Sequence, residues 1–83
     1  MADSNQPLKQ FRRGALSVAV WEKTHEGNKW YSATPQRAFK NKADEWDYST
    51  TFNAEELPVI AALLNQAFSF IVATEAANAA LSR

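Results

Sequence analysis

Polar and apolar residues alternate through the first half of the chain and then change period. From Gly14 to Lys23 the stretch GALSVAVWEK places Leu16, Val18 and Val20 in one phase and Ala15, Ser17, Ala19 and Trp21 in the other. Period two with β-branched residues on one side is the pattern of a half-buried strand. THEGN then supplies turn residues, and KWYSATPQRAFK, residues 29–40, reads as a second strand. KNKAD makes a second turn before EWDYSTTF, residues 45–52, whose aromatics and threonines favour a third strand. Loops this short and polar predict an antiparallel meander. Residues 1–10 (MADSNQPLKQ) show no period and read as a flexible tail, leaving residues 11–83 as one domain.

After Phe52 the period becomes helical. Asn53 stands three residues before Glu56, the spacing of a capping box, and Glu55 adds a second acid to the helix N-terminus. Pro58 falls near the first turn, where its missing N–H costs least and a short 3₁₀ start is accommodated. Leu57, Ile60, Ala61, Leu64, Phe68, Ile71 and Val72 form one apolar stripe, expected to cover the sheet. Val59, Leu63, Phe70 and, less strongly, Ala67 form a second. A helix on one sheet needs a single stripe, so Val59, Leu63 and Phe70 are expected to meet a second copy of the chain across a twofold axis. The expected fold class is α+β: an antiparallel meander of three to four strands, then one long C-terminal helix, dimeric.

The helix must cover one sheet face, and the phases say which. Leu16, Val18 and Val20 mark the inner face on the first strand. Tyr31, Ala33, Pro35, Arg37 and Phe39 match it on the second, and Trp46, Tyr48 and Phe52 on the third. The outer face then carries Ala15, Ser17, Ala19, Trp21 and Lys23, followed by Trp30, Ser32, Thr34, Gln36, Ala38 and Lys40, with Asp47, Ser49 and Thr51 from the third strand. Arg37 falls in the inner phase, where a guanidinium is rarely buried without a partner. Its stem is expected across Tyr31 or Tyr48, and its head at the sheet edge or at Asp47 or Glu56.

Composition narrows the function classes. Eighty-three residues make one domain, which buries only about 60–65% of its unfolded surface and needs reinforcement. With no cysteine and a single histidine, His25, oligomerisation is the expected remedy rather than a disulfide or a metal. No signal peptide opens the chain and no apolar run is expected to span a membrane, so the default is a soluble cytoplasmic protein without membrane partners. The net charge of zero hides an asymmetry. Between Leu8 and Lys42 eight cations face two anions, a net +6, and from Ala43 to Arg83 six anions face one cation, a net −5. A basic half of this kind suits a polyanion. No nucleophile has a histidine partner, and two glycines leave no phosphate-cradling loop, so neither an enzyme nor a cofactor is expected.

The outer face combines small side chains, hydroxyls, indoles and rim cations. A single-stranded nucleic acid needs close approach, hydrogen bonds, stacking and charge neutralisation, and this face offers each. Phosphates would meet Arg12, Arg13, Lys23, Lys29, Arg37, Lys40 and Lys42, and bases would stack on Trp21 and Trp30, with Tyr31 as a further candidate. The alternative is a protein-interaction or assembly module that uses the same face, or an open sheet edge near Pro35.

In architecture, GALSVAVWE, KWYSATPQRAFK, EWDYSTTF and the helix from AEELPVIAALL resemble the single-stranded DNA-binding transcriptional regulators of the positive-cofactor-four and Whirly type. The resemblance spans roughly residues 11–72. It implies a homodimer that binds single strands without strong sequence preference and acts on transcription, replication or repair. Members of that group have four strands before the helix, which would require an extra edge strand around Lys9 to Arg13. The chain is also similar to small bacterial and archaeal proteins with a strand-strand-strand-helix plan, a likeness that implies no function.

Overall fold

Four strands precede the helix in the computed structural model, which describes residues 6–81. They are β1 (Lys9–Arg13), β2 (Leu16–His25), β3 (Asn28–Lys40) and β4 (Trp46–Ser49), paired antiparallel in the order β1-β2-β3-β4. A 3₁₀ turn (Ala54–Glu56) leads into α1 (Leu57–Leu81). The α+β meander and long C-terminal helix expected from the pattern are thus present, with β1 as the fourth strand. Lys9 and Gln10, expected in the tail, belong to the sheet, and the Leu8 N–H donates to the Val20 carbonyl at 2.7 Å. Residues 1–5 of that tail lie outside the described residues.

Turn chemistry fixes the register. Gly14 (φ 59°) opens the two-residue link between Arg13 and Leu16, and Glu26 (φ 53°) with Gly27 (φ 82°) links His25 to Asn28. Positive φ at the first central residue, as at Gly14, or at both, as at Glu26 and Gly27, matches the right-handed strand twist, which is why such turns close tight hairpins. The β3–β4 loop is organised by Asn41, whose Oδ1 accepts from the N–H groups of Ala43 (2.9 Å) and Glu45 (3.1 Å). β4 pairs only with Arg37–Lys40, so β3 is an edge strand at Pro35, where proline is tolerated.

The core lies between the inner face and one side of α1. Leu16, Val18 and Val20 meet Ile60, Leu63 and Ala67, with Phe11, Ala33, Phe52, Val59, Phe70 and Ile71 packed around them. Phe11 and Phe70 close one end edge to face, their centroids 6.1 Å apart. The expected roles of the two helical stripes are partly exchanged. Ile60 and Ile71 of the first stripe join the core as expected, but so do Leu63, 4% exposed, and the half-buried Val59 and Phe70, which were expected to face a second copy. Leu57, Leu64, Phe68 and Val72 are the exposed ones, Phe68 at 66%. The two stripes lie side by side at helical spacing. The sheet takes the one centred on Ala67, 1% exposed, whose small side chain lets the helix backbone come close.

The helix N-terminus is capped as its spacing predicts. The Glu56 Oε1 accepts from the Asn53 N–H at 2.8 Å, while the Glu56 N–H donates to the Asn53 carbonyl at 2.9 Å. One sequence expectation about α1 needs correction. No Asp, Glu, Lys or Arg stands between Leu57 and Thr74, and a window within Ala54–Ala80 reaches a mean hydropathy of 1.8. By length and composition the helix could cross a membrane; in this fold one of its faces is the lid on the sheet.

Candidate nucleic-acid interface

Register builds the outer face row by row. Gln10, Ala19 and Thr34 lie abreast on β1, β2 and β3, and Arg12, Ser17 and Gln36 form the next row. Toward the β2–β3 hairpin come the pairs Trp21–Ser32 and Lys23–Trp30. Toward the opposite end β4 sets Tyr48 beside Ala38 and Trp46 beside Lys40. The floor between the two ends is made of small and hydroxylated residues, so a ligand can lie close to the backbone.

All three tryptophans of the chain stand on this face. The Trp21 Nε1–H donates to the Thr34 Oγ1 at 2.8 Å, which leans the indole along the sheet toward Ala19 and holds it half-buried. Trp30 is 47% exposed, Trp46 64% and Tyr48 61%. Large rings so open to water cost free energy of hydration unless something covers them. Arg12, Gly14, Ala15, Ser17, Ala38, Trp46 and Tyr48 line an open depression of about 410 Å³.

The acids are sorted between the two faces, while cations stand on both. Among the described strand residues, the outer phase carries Arg12, Lys23 and Lys40 and no Asp or Glu. The two acids in the strands, Glu22 and Asp47, take the inner phase. Lys40 sits 5.5 Å from the Trp46 ring centroid and 3.4 Å from the Asp44 carboxylate in the adjoining loop, with half of its side chain open to solvent.

Arg12, Trp21, Lys23, Trp30 and Lys40 therefore share the outer face as expected, and Lys42 is exposed in the loop beyond β3. Three expected contacts do not join them. Arg13 lies opposite Leu16 in the inner phase, and Lys29 sits 3.9 Å from Glu22 on that side. Arg37 is held there by Glu56 (Nε to Oε1, 3.5 Å) and donates to the Thr51 carbonyl at 3.3 Å. Glu56 was one of the two acids expected for it, but its guanidinium lies 5.6 Å from the Phe39 ring rather than on Tyr31 or Tyr48.

Trp46 and Tyr48, expected on the inner face, stand on the outer one, and Asp47 and Ser49, expected on the outer face, take the inner phase instead. The reason is local. β4 ends at Ser49, whose Oγ accepts the Thr51 N–H at 3.0 Å and turns the chain. Phe52 therefore reaches the core without being in phase with Trp46 and Tyr48. The Ser49-Thr50-Thr51 run was the available signal, since hydroxyl residues favour such turns.

On the inner side Tyr31 ties the far end of α1 to the sheet. Its hydroxyl donates to the Glu22 carboxylate at 3.0 Å and accepts from the Asn78 Nδ2 at 2.7 Å. Burial raises the Tyr31 pKa above its ordinary value, and the hydrogen bond to Glu22 adds to the rise. Among the described residues no group of histidine and acidic side chains is placed to hold a metal ion. Compared with protein-family models, curated proteins and solved structures, the chain shows no match to any of them.

Proposed function

We propose that this protein binds single-stranded nucleic acid, DNA or RNA, on the outer face of its sheet and acts as a homodimer. One observation carries the reading: Trp30, Trp46 and Tyr48 stand exposed among Arg12, Lys23 and Lys40 on a face whose strands hold no acid. Every base has a π-face, so exposed rings accept single strands regardless of sequence, and the cations neutralise phosphates. The resemblance to positive-cofactor-four and Whirly-type regulators belongs to this proposal, as do a cytoplasmic setting and an accessory role in transcription, replication or repair. β1 supplies the edge strand that the resemblance requires.

The homodimer is supported by the large apolar side chains that α1 leaves open to solvent, Leu57 at 52%, Leu64 at 38%, Phe68 at 66% and Val72 at 45%. A standard interface removes about 800 Å² from each partner. The exposed stripe of Leu57, Leu64, Phe68 and Val72 is the proposed contact.

Titration with a labelled oligonucleotide at several salt concentrations tests the binding. Affinity should fall steeply with salt, by about 0.7 log unit per log unit for each phosphate contact. Affinity that stays flat from low to moderate salt would sink the idea. A protein-interaction role has its own supporting observation: β4 leaves Asn28–Gln36 of β3 as a free edge able to accept another strand. Failure to bind any oligonucleotide would favour that role.

A further inference from the structure

We infer that the outer face holds two separate stacking stations, and that the station at Trp46 and Tyr48 is filled by even a short bound strand. Trp30 is engaged only by strands long enough to reach it. The inference rests on the nucleic-acid reading above and specifies how that site is used.

The separation follows from the register. Trp30 and Lys40 occupy the same phase of β3, ten positions apart, and Trp46 lies opposite Lys40. At about 3.3 Å per residue the two stations are roughly 30 Å apart. A single strand extends to roughly twice the 3.4 Å per nucleotide it has in a duplex, so about five nucleotides bridge the gap. The residues between are Ser17, Ala19, Ser32, Thr34 and Gln36, with no ring except Trp21. Trp21 is held down by its bond to Thr34 and is only half-buried beside the Trp30 station.

The two stations are unequal. Trp30 has one outer-face cation beside it, Lys23. At the other end Lys40, also 3.4 Å from Asp44, lies over Trp46, and Arg12 joins Trp46 and Tyr48 in lining the depression. Two rings, a concavity and Arg12 beside the paired Lys40 bind a phosphate and its base together. A single ring with one lysine binds them less well, so a strand too short to span both ends settles at the first.

The test compares wild type, Trp30→Ala and Trp46→Ala with oligothymidylates of about three and about ten nucleotides at low salt. For the short strand, Trp46→Ala should weaken binding roughly five- to a hundredfold while Trp30→Ala leaves it unchanged. For the long strand both variants should lose affinity. Quenching gives a second readout that does not depend on affinity: the short strand should still quench Trp30→Phe but not Trp46→Phe. Equal losses from the two alanine variants at both lengths would overturn the two-station layout, as would a short strand sensitive to Trp30 alone. If wild type binds neither strand, the nucleic-acid reading itself fails, and this one with it. Melting temperatures close to wild type, expected for side chains so exposed, keep the comparison clean.

Discussion

Arg37 on β3 and Glu56 at the start of α1 meet across the seam between sheet and helix, Nε to Oε1 at 3.5 Å. The same carboxylate oxygen caps the helix through the Asn53 N–H, and the same guanidinium binds the Thr51 carbonyl. One ion pair thus joins the strand, the connecting segment and the helix cap. A partly exposed pair is worth little alone, up to about 1 kcal/mol. The hydrogen bond to Thr51 adds a comparable amount, about 1 kcal/mol. Arg37→Ala should therefore cost about 1–2 kcal/mol and lower the melting temperature by roughly 5–15 °C. Its oligonucleotide affinity should stay near wild type, because the side chain is on the inner side of the sheet.

The cations divide into two groups by salt dependence. Arg12→Ala and Lys23→Ala should each flatten the plot of log affinity against log salt by about 0.7, the loss of one phosphate contact. Arg13→Ala and Lys29→Ala, on the inner side, should leave the slope unchanged. A slope that responds to Arg13 and Lys29 but not to Arg12 and Lys23 would mean that the strand binds elsewhere.

Neighbouring leucines on α1 should behave in opposite ways. Leu63 is in the core, and Leu63→Ala should cost about 2–5 kcal/mol through lost burial and the cavity left behind. Leu64 and Phe68 are exposed, so Leu64→Asp or Phe68→Asp should preserve the fold and convert dimers into monomers. Light-scattering mass together with thermal melting reads both effects. An unchanged mass in both aspartate variants would remove the stripe as the subunit contact.

Tyr31 makes stability depend on alkaline pH. Its folded pKa is raised, so the protonated phenol is the form the fold favours. That contribution is complete below the ordinary tyrosine value of about 10 and is lost as pH rises through the folded value. Wild type should therefore lose stability relative to Tyr31→Phe above about pH 10, and the two should run parallel below it. Denaturant midpoints measured across that range would show the divergence, and parallel curves throughout would contradict it.

Much of this protein was written locally. Alternation in GALSVAVWEK and KWYSATPQRAFK was enough to give β2, β3 and their two faces, because period two leaves each side chain one choice of side. Asn53 and Glu56 marked the helix start, because a cap is a contact between residues three apart. Glu56 stood in advance beside Asp47 and the sheet edge as a place for the Arg37 head, since an inward cation needs a partner within reach, and packing chose among the three. What the tertiary structure alone decided was how elements meet. Both stripes of α1 are apolar, and only packing on the sheet selected the Leu63–Ala67 side. The turn at Ser49 reversed the phase of β4, which moved Trp46 and Tyr48 to the outer face. β1 became a strand because β2 offered it a partner, although its own KQFRR has no alternation to announce it. Local pattern fixes a residue's period, and the choice among apolar surfaces of equal period belongs to the contacts that bury them.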